Sequence, residues 1–111
     1  MREITDETFE SAVTRAERPV VIDFWAPWCG PCKAVESVLL ELADKHEGRV
    51  EFAKLNIDEN PVVASRFGVL AIPTAILFED GEAKETVVGA RSRSHYEEAW
   101  APWLSRSEPS R

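Results

Sequence analysis

The sequence has few residues that could cross-link the chain or bind a metal. It contains two cysteines and two histidines among 111 residues, too few for the disulfide framework of a small secreted domain. Basic residues are also scarce. The chain has 13 Lys and Arg but 20 Asp and Glu, which gives it a net charge of -7. Phosphate backbones and anionic lipids attract a surface excess of positive charge. We therefore expect neither nucleic acid nor a membrane among its partners.

Long apolar segments are missing as well. No run approaches the length needed to span a bilayer, and residues 1–6 lack the apolar stretch of a secretory signal. These absences predict a cytoplasmic protein. Hydrophobic residues nevertheless make up 44% of the chain, which is ordinary for a globular domain that buries its own core. We expect a single domain over residues 1–104 and a disordered polar tail over residues 105–111, which has nothing apolar to bury.

The apolar patterns predict alternating helices and strands. Helices are predicted over 6–15 with Thr5 or Asp6 as N-cap, over 31–46, between Asn60 as N-cap and Gly68, and from Ser92 or Ser94 onward. Pro102 should kink or end the last helix, because proline removes a backbone donor. Strands are predicted over 20–26, 50–57, 74–78 and 86–88, the last two joined by the tight-turn pair Asp80-Gly81.

This order of elements defines a fold class. The strand over 20–26 is apolar without alternation, as expected of a central strand covered on both faces. The elements therefore predict an α/β fold with a central mixed sheet, composed of a parallel βαβ half and an antiparallel hairpin, flanked by about four helices.

The two cysteines, Cys29 and Cys32, lie where the central strand meets the long helix. Residues three apart in a helical turn have Cβ atoms about 5–6 Å apart, and a disulfide needs Cα atoms within roughly 4.4–6.8 Å. The pair can therefore open and close. A helix start also stabilises a thiolate through free backbone N–H groups. We expect Cys29, nearest the tip, to attack a target disulfide and Cys32 to resolve the mixed disulfide.

Two other interpretations of the cysteines follow from the residues. They could be free structural thiols or half of a zinc site. Zinc needs about four ligands, and the two histidines, His46 and His95, lack the spacing of a zinc finger. The metal interpretation is therefore the weakest of the three.

The stretch from Trp25 to Lys33, W-A-P-W-C-G-P-C-K, resembles the active-site signature of bacterial-type thioredoxins. In it Trp28, Gly30 and Pro31 form the active-site turn. The resemblance extends over about residues 4–104. It implies the thioredoxin fold and a thiol-disulfide oxidoreductase without a bound cofactor, whose electrons come from NADPH through thioredoxin reductase. It also implies disulfide-containing client proteins as partners and a monomeric state.

Asp23 is unusual because it is a carboxylate inside an apolar strand. If it is buried, desolvation should raise its pKa; the alternative is a place at the strand edge in contact with solvent. The resemblance implies that Asp23 is the general base that takes the proton of Cys32 and that Lys54 tunes it. Without the resemblance, Lys54 would be interpreted as a solvated or snorkelling lysine.

The resemblance also implies a client-binding surface near the cysteines. Sequence statistics favour a trans bond before Pro73, whereas the resemblance implies a cis bond beside the dithiol, with Ile72, Pro73 and Thr74 in contact with substrate. Trp28 would extend this surface, although simple packing is the alternative for its ring. Three further residues would complete it: Val88, Gly89 and Ala90.

A few positions depart from the family pattern. Ser37 replaces a proline that kinks the second helix in many thioredoxins, so we expect a straighter helix. Leu70 and Ala71 add apolar area near the proposed docking surface.

The alternative functions are an oxidant or isomerase and a non-catalytic binding subunit. The resemblance associates proline rather than histidine at position 31 with reductases, so Pro31 favours a reductase over an oxidant. The retention of both cysteines argues against a binding subunit.

Overall fold

The elements follow the apolar segments of the chain. The computed structural model describes residues 1–105. Five strands are present: β1 (Arg2–Glu3), β2 (Val20–Trp25), β3 (Glu51–Asn56), β4 (Thr74–Glu79) and β5 (Glu82–Val88). A π-helical segment (Glu10–Thr14) precedes four helices: α1 (Gly30–Lys45), α2 (Pro61–Arg66), α3 (Arg93–Ala99) and α4 (Ala101–Leu104).

The strands form one mixed sheet in the order β1-β3-β2-β4-β5. The β1, β3 and β2 strands run parallel, whereas β4 is antiparallel to both β2 and β5. The predicted fold class is thus confirmed. The two-residue strand β1 escaped prediction, because its residues are polar and exposed and carry no apolar pattern.

The central strand β2 separates two hydrophobic cores. Ile22 and Phe24 pack in one core with Phe9 and Phe78, while Val21 packs in the other core with residues of α1, α3 and α4. Successive side chains of a strand point to opposite faces, which explains why β2 is apolar without alternation. The same alternation places Asp23 on the face of Val21, which is the face that α1 covers.

The first predicted helix is shorter than expected. Regular helical structure covers only Glu10–Thr14, and Thr5 and Thr8 close a turn before it, each backbone N–H donating to the other's hydroxyl at 2.9 and 3.1 Å. Asp6 does not cap this segment as predicted. Its carboxylate instead binds backbone N–H groups at the start of α2.

The N-terminus of α2 is capped by Asp6, 56 residues earlier in the chain. The Asp6 carboxylate accepts from the backbone N–H groups of Val62 at 3.0 Å and Val63 at 2.9 Å. Asn60 was predicted as the cap, but its side chain makes no capping bond. It accepts from the Asp6 N–H at 2.9 Å and donates to the Asn56 carbonyl at 3.1 Å. A long-range contact has thus replaced a local cap.

The predicted hairpin is confirmed. Asp80 and Gly81 both have positive φ, 55° and 79°, as a two-residue turn of the hairpin type requires. β5 begins at Glu82 rather than at the predicted residue 86. Most of its side chains are exposed and polar, so its first half has no apolar signature.

The last helix is interrupted near Pro102, as expected from the presence of this proline. Ser92 caps α3 by accepting from the His95 N–H at 3.2 Å, and α3 ends at Ala99. The helix resumes as α4 with Pro102 in its first turn, where a missing N–H leaves no intrahelical bond unmade. Trp100 fills the break and is fully buried. This break explains why five helical segments replace the four predicted. The predicted tail lies outside the described residues, apart from exposed Ser105.

Asp6→Ala should destabilise the protein by about 1–2 kcal/mol, because two N–H donors of α2 lose their acceptor. Denaturant unfolding of both proteins measures the difference. Glu7→Ala, at an exposed neighbouring position, is the matched control. Equal stabilities of the Asp6 and Glu7 variants would show that the cap contributes nothing.

Candidate active site

Cys29 and Cys32 form a disulfide at the start of α1. Cys29 is the N-cap residue, with extended backbone angles, and Cys32 lies in the first turn, with a Cα–Cα distance of 5.4 Å. Gly30 and Pro31 occupy the first helical positions, where proline is tolerated because no intrahelical acceptor faces its nitrogen. Both cysteines are buried.

The bonded pair decides between the interpretations of the cysteines. The suggestion of free structural thiols is wrong, because no cysteine is free. Within residues 1–105, no group of three or more His, Cys, Asp or Glu side chains could hold a metal ion. A disulfide at a helix start can accept two electrons and return them, because the thiolate is stabilised by the helix N–H groups.

Asp23 is buried on the α1 side of the sheet. Its side chain is 1% exposed, so the alternative of a solvent-exposed strand edge is wrong. Neither carboxyl oxygen has a hydrogen-bond partner among the described residues. Desolvation, and to a smaller extent the negative charge of Glu36, raise the pKa of Asp23, whereas the positive charge of Lys54 lowers it; together they raise it to about 7. Asp23 therefore exchanges its proton near neutral pH.

Lys54 stands beside Asp23 in the paired register of β2 and β3. Its ammonium group donates to the Glu36 carboxylate at 2.8 Å and lies 4.0 Å from Glu3. It also lies 4.8 Å from the ring centre of Trp25, close enough for a cation–π contact. The lysine is thus fixed by partners rather than freely solvated.

Glu36 was not predicted from the sequence as a site residue. Its spacing could have indicated a place in the site. Glu36 lies four residues after Cys32 on α1, and residues so spaced share a helix face. A cavity of about 100 Å³ lies beside the disulfide, and Glu36 is among its lining residues, which are Trp25, Ala26, Pro27, Cys29, Cys32, Lys33 and Glu36. The cavity brings this carboxylate next to the two cysteines.

Trp28 is exposed next to the disulfide. Its side chain is 68% exposed, so the interpretation of its ring as simple packing is wrong. The indole N–H donates to the Asp58 carboxylate at 3.0 and 3.2 Å, and the Asp58 N–H donates to the Asn56 side chain at 3.0 Å. Asp58 was not identified from the sequence. It holds the indole by one edge and leaves the ring face open.

The other predicted contact residues come together at the end of the hairpin. The Ile72–Pro73 peptide bond is cis, the isomer that the resemblance implied. The Pro73 carbonyl accepts from the Gly89 N–H at 2.8 Å, and Thr74 pairs with Val88 across β4 and β5. The segments 72–74 and 88–90 therefore lie side by side. Ile72 and residues 88–90 are at least partly exposed, whereas Pro73 and Thr74 are buried.

Leu70 adds apolar area next to this surface. It is 98% exposed and lines a groove of about 260 Å³ together with Ala71, Thr74 and Val88. The apolar departure from the family pattern thus lies on the outside of the protein. The other departure, Ser37, lies in α1, which runs without a break from Gly30 to Lys45.

The sheet and the dithiol together define a class of protein. A disulfide at a helix start, on a mixed α/β sheet whose central strand buries a carboxylic acid, is the arrangement of a thiol-disulfide oxidoreductase. The family model of thioredoxin matches residues 1–101. The chain belongs to the thioredoxin family and is a protein-disulfide reductase.

Relatives with the same family name come from bacteria and plastids. The chain is 45% identical to thioredoxin of Streptomyces clavuligerus over 94 residues, 85% of this chain and 87% of that protein. It is 48% identical to thioredoxin 1 of Nostoc sp. over 88 residues, 79% of this chain and 82% of that protein. It is also 48% identical to the chloroplastic M-type thioredoxin of Brassica napus over 87 residues, 78% of this chain and 49% of that protein. The chain thus spans about half the length of the chloroplastic relative.

In the described part of the chain, no helix has the length and apolar character needed to cross a membrane.

Asp23→Asn should abolish a pH dependence of stability. The folded-state pKa of Asp23, about 7 against an ordinary 3.8, means that the folded protein binds more protons than the unfolded chain between these values. Stability therefore falls as pH rises through this window and levels off above pH 7. The full effect is about 4 kcal/mol, and the variant should not show it.

Denaturant unfolding of the oxidised protein at pH 5 and pH 9 measures the part of this effect that lies above pH 5, about 3 kcal/mol. Asp44→Asn, at an exposed position of α1, is the control and should keep the wild-type pH dependence. An Asp23→Asn variant whose stability falls with pH as steeply as the wild type would contradict the assignment.

Proposed function

We propose that this thioredoxin donates electrons to disulfides of client proteins, with Cys29 as nucleophile and Cys32 as resolving thiol. The observation that carries the proposal is the Cys29–Cys32 disulfide with Cys29 at the N-cap of α1. In the reduced form, the N-cap position presents Cys29 to the helix N–H groups, which stabilise its thiolate.

The reaction proceeds in two exchanges. The Cys29 thiolate attacks one sulfur of the client disulfide, so that the client S–S bond breaks and its other sulfur leaves as a thiolate. Cys32, once deprotonated, attacks the Cys29 sulfur and releases the second client thiolate. Two electrons pass to the client, and the Cys29–Cys32 disulfide forms. The second exchange is intramolecular, because both cysteines lie in one helical turn.

Asp23 is the general base for Cys32. A base acts best when its pKa lies near the working pH, and a pKa of about 7 for Asp23 meets that condition. Its position on the face that α1 covers supports the role. Lys54 tunes this base, since its positive charge favours the carboxylate form.

Clients bind across the surface formed by the 72–74 and 88–90 segments. Backbone groups of Ile72, which precedes the cis bond to Pro73, pair with an extended client segment, as in other cases of strand addition. Val88, Gly89 and Ala90 continue this surface, and Trp28 supplies an open aromatic face beside Cys29. Thr74 is buried and supports the surface through its hydrogen bond to the Ala71 carbonyl. Gly30 and Pro31 keep the turn between the cysteines compact.

The dithiol is regenerated by a partner protein. Each turnover leaves the disulfide form, so a two-electron donor must return it to the dithiol. We assign this role to thioredoxin reductase, which draws on NADPH.

The protein acts in the cytoplasm, a compartment where thiols are kept reduced. It acts as a monomer, since one chain carries both sulfurs of the exchange.

The reductase assignment is tested by insulin reduction with dithiothreitol as electron source. The native chain should accelerate the reaction, and Cys29→Ser and Cys32→Ser should each abolish the acceleration. The Cys32→Ser variant should also accumulate a mixed disulfide at Cys29, visible as a mass increase that dithiothreitol removes.

An unaccelerated reaction with the native chain would reject general reductase activity and favour a specialised oxidant. A binding subunit without catalysis would retain its partners after substitution of both cysteines by serine, which a pull-down with the double variant measures.

A further inference from the structure

Glu36 and Lys54 form an ion pair at the edge of the buried part of the site. The Lys54 ammonium donates to the Glu36 carboxylate at 2.8 Å, and the two side chains are 20% and 34% exposed. Lys54 comes from β3, directly beside Asp23 in β2, whereas Glu36 comes from α1. The lysine next to the buried acid therefore has its hydrogen bond with a different carboxylate.

Glu36 also borders the cavity beside the cysteines. That cavity is lined by Cys29 and Cys32 as well as by Glu36 and Trp25, and the Lys54 ammonium lies 4.8 Å from the ring centre of Trp25. A carboxylate here is thus placed between solvent and the buried groups. Its charge is only partly screened, because the surroundings are apolar and half-closed.

The charged and titratable groups around Asp23 come from three elements. Glu36 on α1 and Lys54 on β3 act on its ionisation with opposite signs, and Tyr96 on α3 senses the charge of Asp23. The β4 neighbour in register is Ala75, which carries no charge. Glu3 on β1 lies 4.0 Å from the lysine and is exposed, so solvent screens it more strongly. Glu36 is therefore the acidic group best placed to influence Asp23.

We propose that Glu36 is a positioning residue for disulfide exchange: by binding the Lys54 ammonium and placing a carboxylate at the cavity, it sets the pH range in which Asp23 takes the proton of Cys32. This inference rests on the proposed role of Asp23 as general base.

The physical basis is a competition for the lysine. Without Glu36, the ammonium would have two acidic neighbours in the sheet, Asp23 on β2 and the exposed Glu3 on β1. The carboxylate form of Asp23 would then be favoured. With Glu36, part of the lysine charge is compensated and a second negative charge is added. Both effects raise the pKa of Asp23, so that the carboxylate, once formed, is a stronger base toward a thiol.

The inference is tested with Glu36→Gln, which preserves shape and removes the charge. The Asp23 titration, followed by its carboxyl carbon shift in NMR spectra of the oxidised protein, should move to lower pH by roughly 0.5–1 unit. Lys54→Gln should move it to higher pH. Glu41→Gln, on an exposed part of α1 where Glu41 pairs with Arg93, should leave it in place.

The reaction gives a second measurement. The release of client from a preformed Cys29 mixed disulfide should become about twofold faster at pH 5.5 and about twofold slower at pH 8.5 in Glu36→Gln, because the base is ionised earlier but is weaker. A loss of stability alone would not produce this crossing of the two pH profiles.

The outcomes separate the inference from the function it builds on. An Asp23 titration that is the same in Glu36→Gln and wild type would overturn the role of Glu36. A shifted titration with an unchanged pH profile of client release would overturn both the inference and the role of Asp23 as base. In either case the insulin assay with the cysteine variants still decides independently whether the dithiol reduces clients.

Discussion

The burial of one carboxyl group is the constraint around which this site is organised. Asp23 lies in the central strand, without a hydrogen-bond partner among the described residues, where desolvation favours the protonated acid. Every charged group near it then acts on the same proton. Lys54 and Glu36 act in opposite directions, and the disulfide lies on the α1 side of this group. Ionisation of this buried group therefore destabilises the folded protein, and the proposed proton transfer from Cys32 is the role we assign to it.

The scaffold holds the site by contacts between distant parts of the chain. Asp6 caps α2 from the N-terminal region, and the Pro73 carbonyl fixes the hairpin end at Gly89. Asp58 holds the Trp28 indole. None of these bonds joins residues of one element. The surface around the cysteines is therefore a property of the whole sheet, and a local peptide of the same sequence would not reproduce it.

Strong local signals could be predicted from the sequence. The apolar run of β2, the periodicity of α1, the Asp80-Gly81 turn and the break at Pro102 each follow from a property of the residues themselves. The position of the dithiol at a helix start could be predicted in the same way. The thioredoxin resemblance added the cis bond before Pro73, which residue statistics alone would have assigned as trans.

What could not be predicted depends on pairing across space. Thr5, Asp6 and Asn60 are all good helix caps, and only the packed structure decides which helix each one serves. The first half of β5 and the whole of β1 are polar because they lie at the edges of the sheet, so their residues resemble loop residues. Glu36 has an ordinary place in an amphipathic helix, and its partner Lys54 is 18 positions away. Partial burial of that pair, rather than residue type, makes it relevant to the site.

The exposed polar side chains of β5 have a consequence for how the edges of the sheet meet other proteins. An edge strand offers free backbone groups to which a second strand can add, and charged side chains discourage that addition. β5 carries Glu82, Lys84 and Glu85 on the outer edge of the sheet, and the opposite edge is the two-residue strand β1. Strand addition is therefore disfavoured at both edges of the sheet. Copies of this protein are thus kept from joining their sheets edge to edge, a route by which folded proteins aggregate.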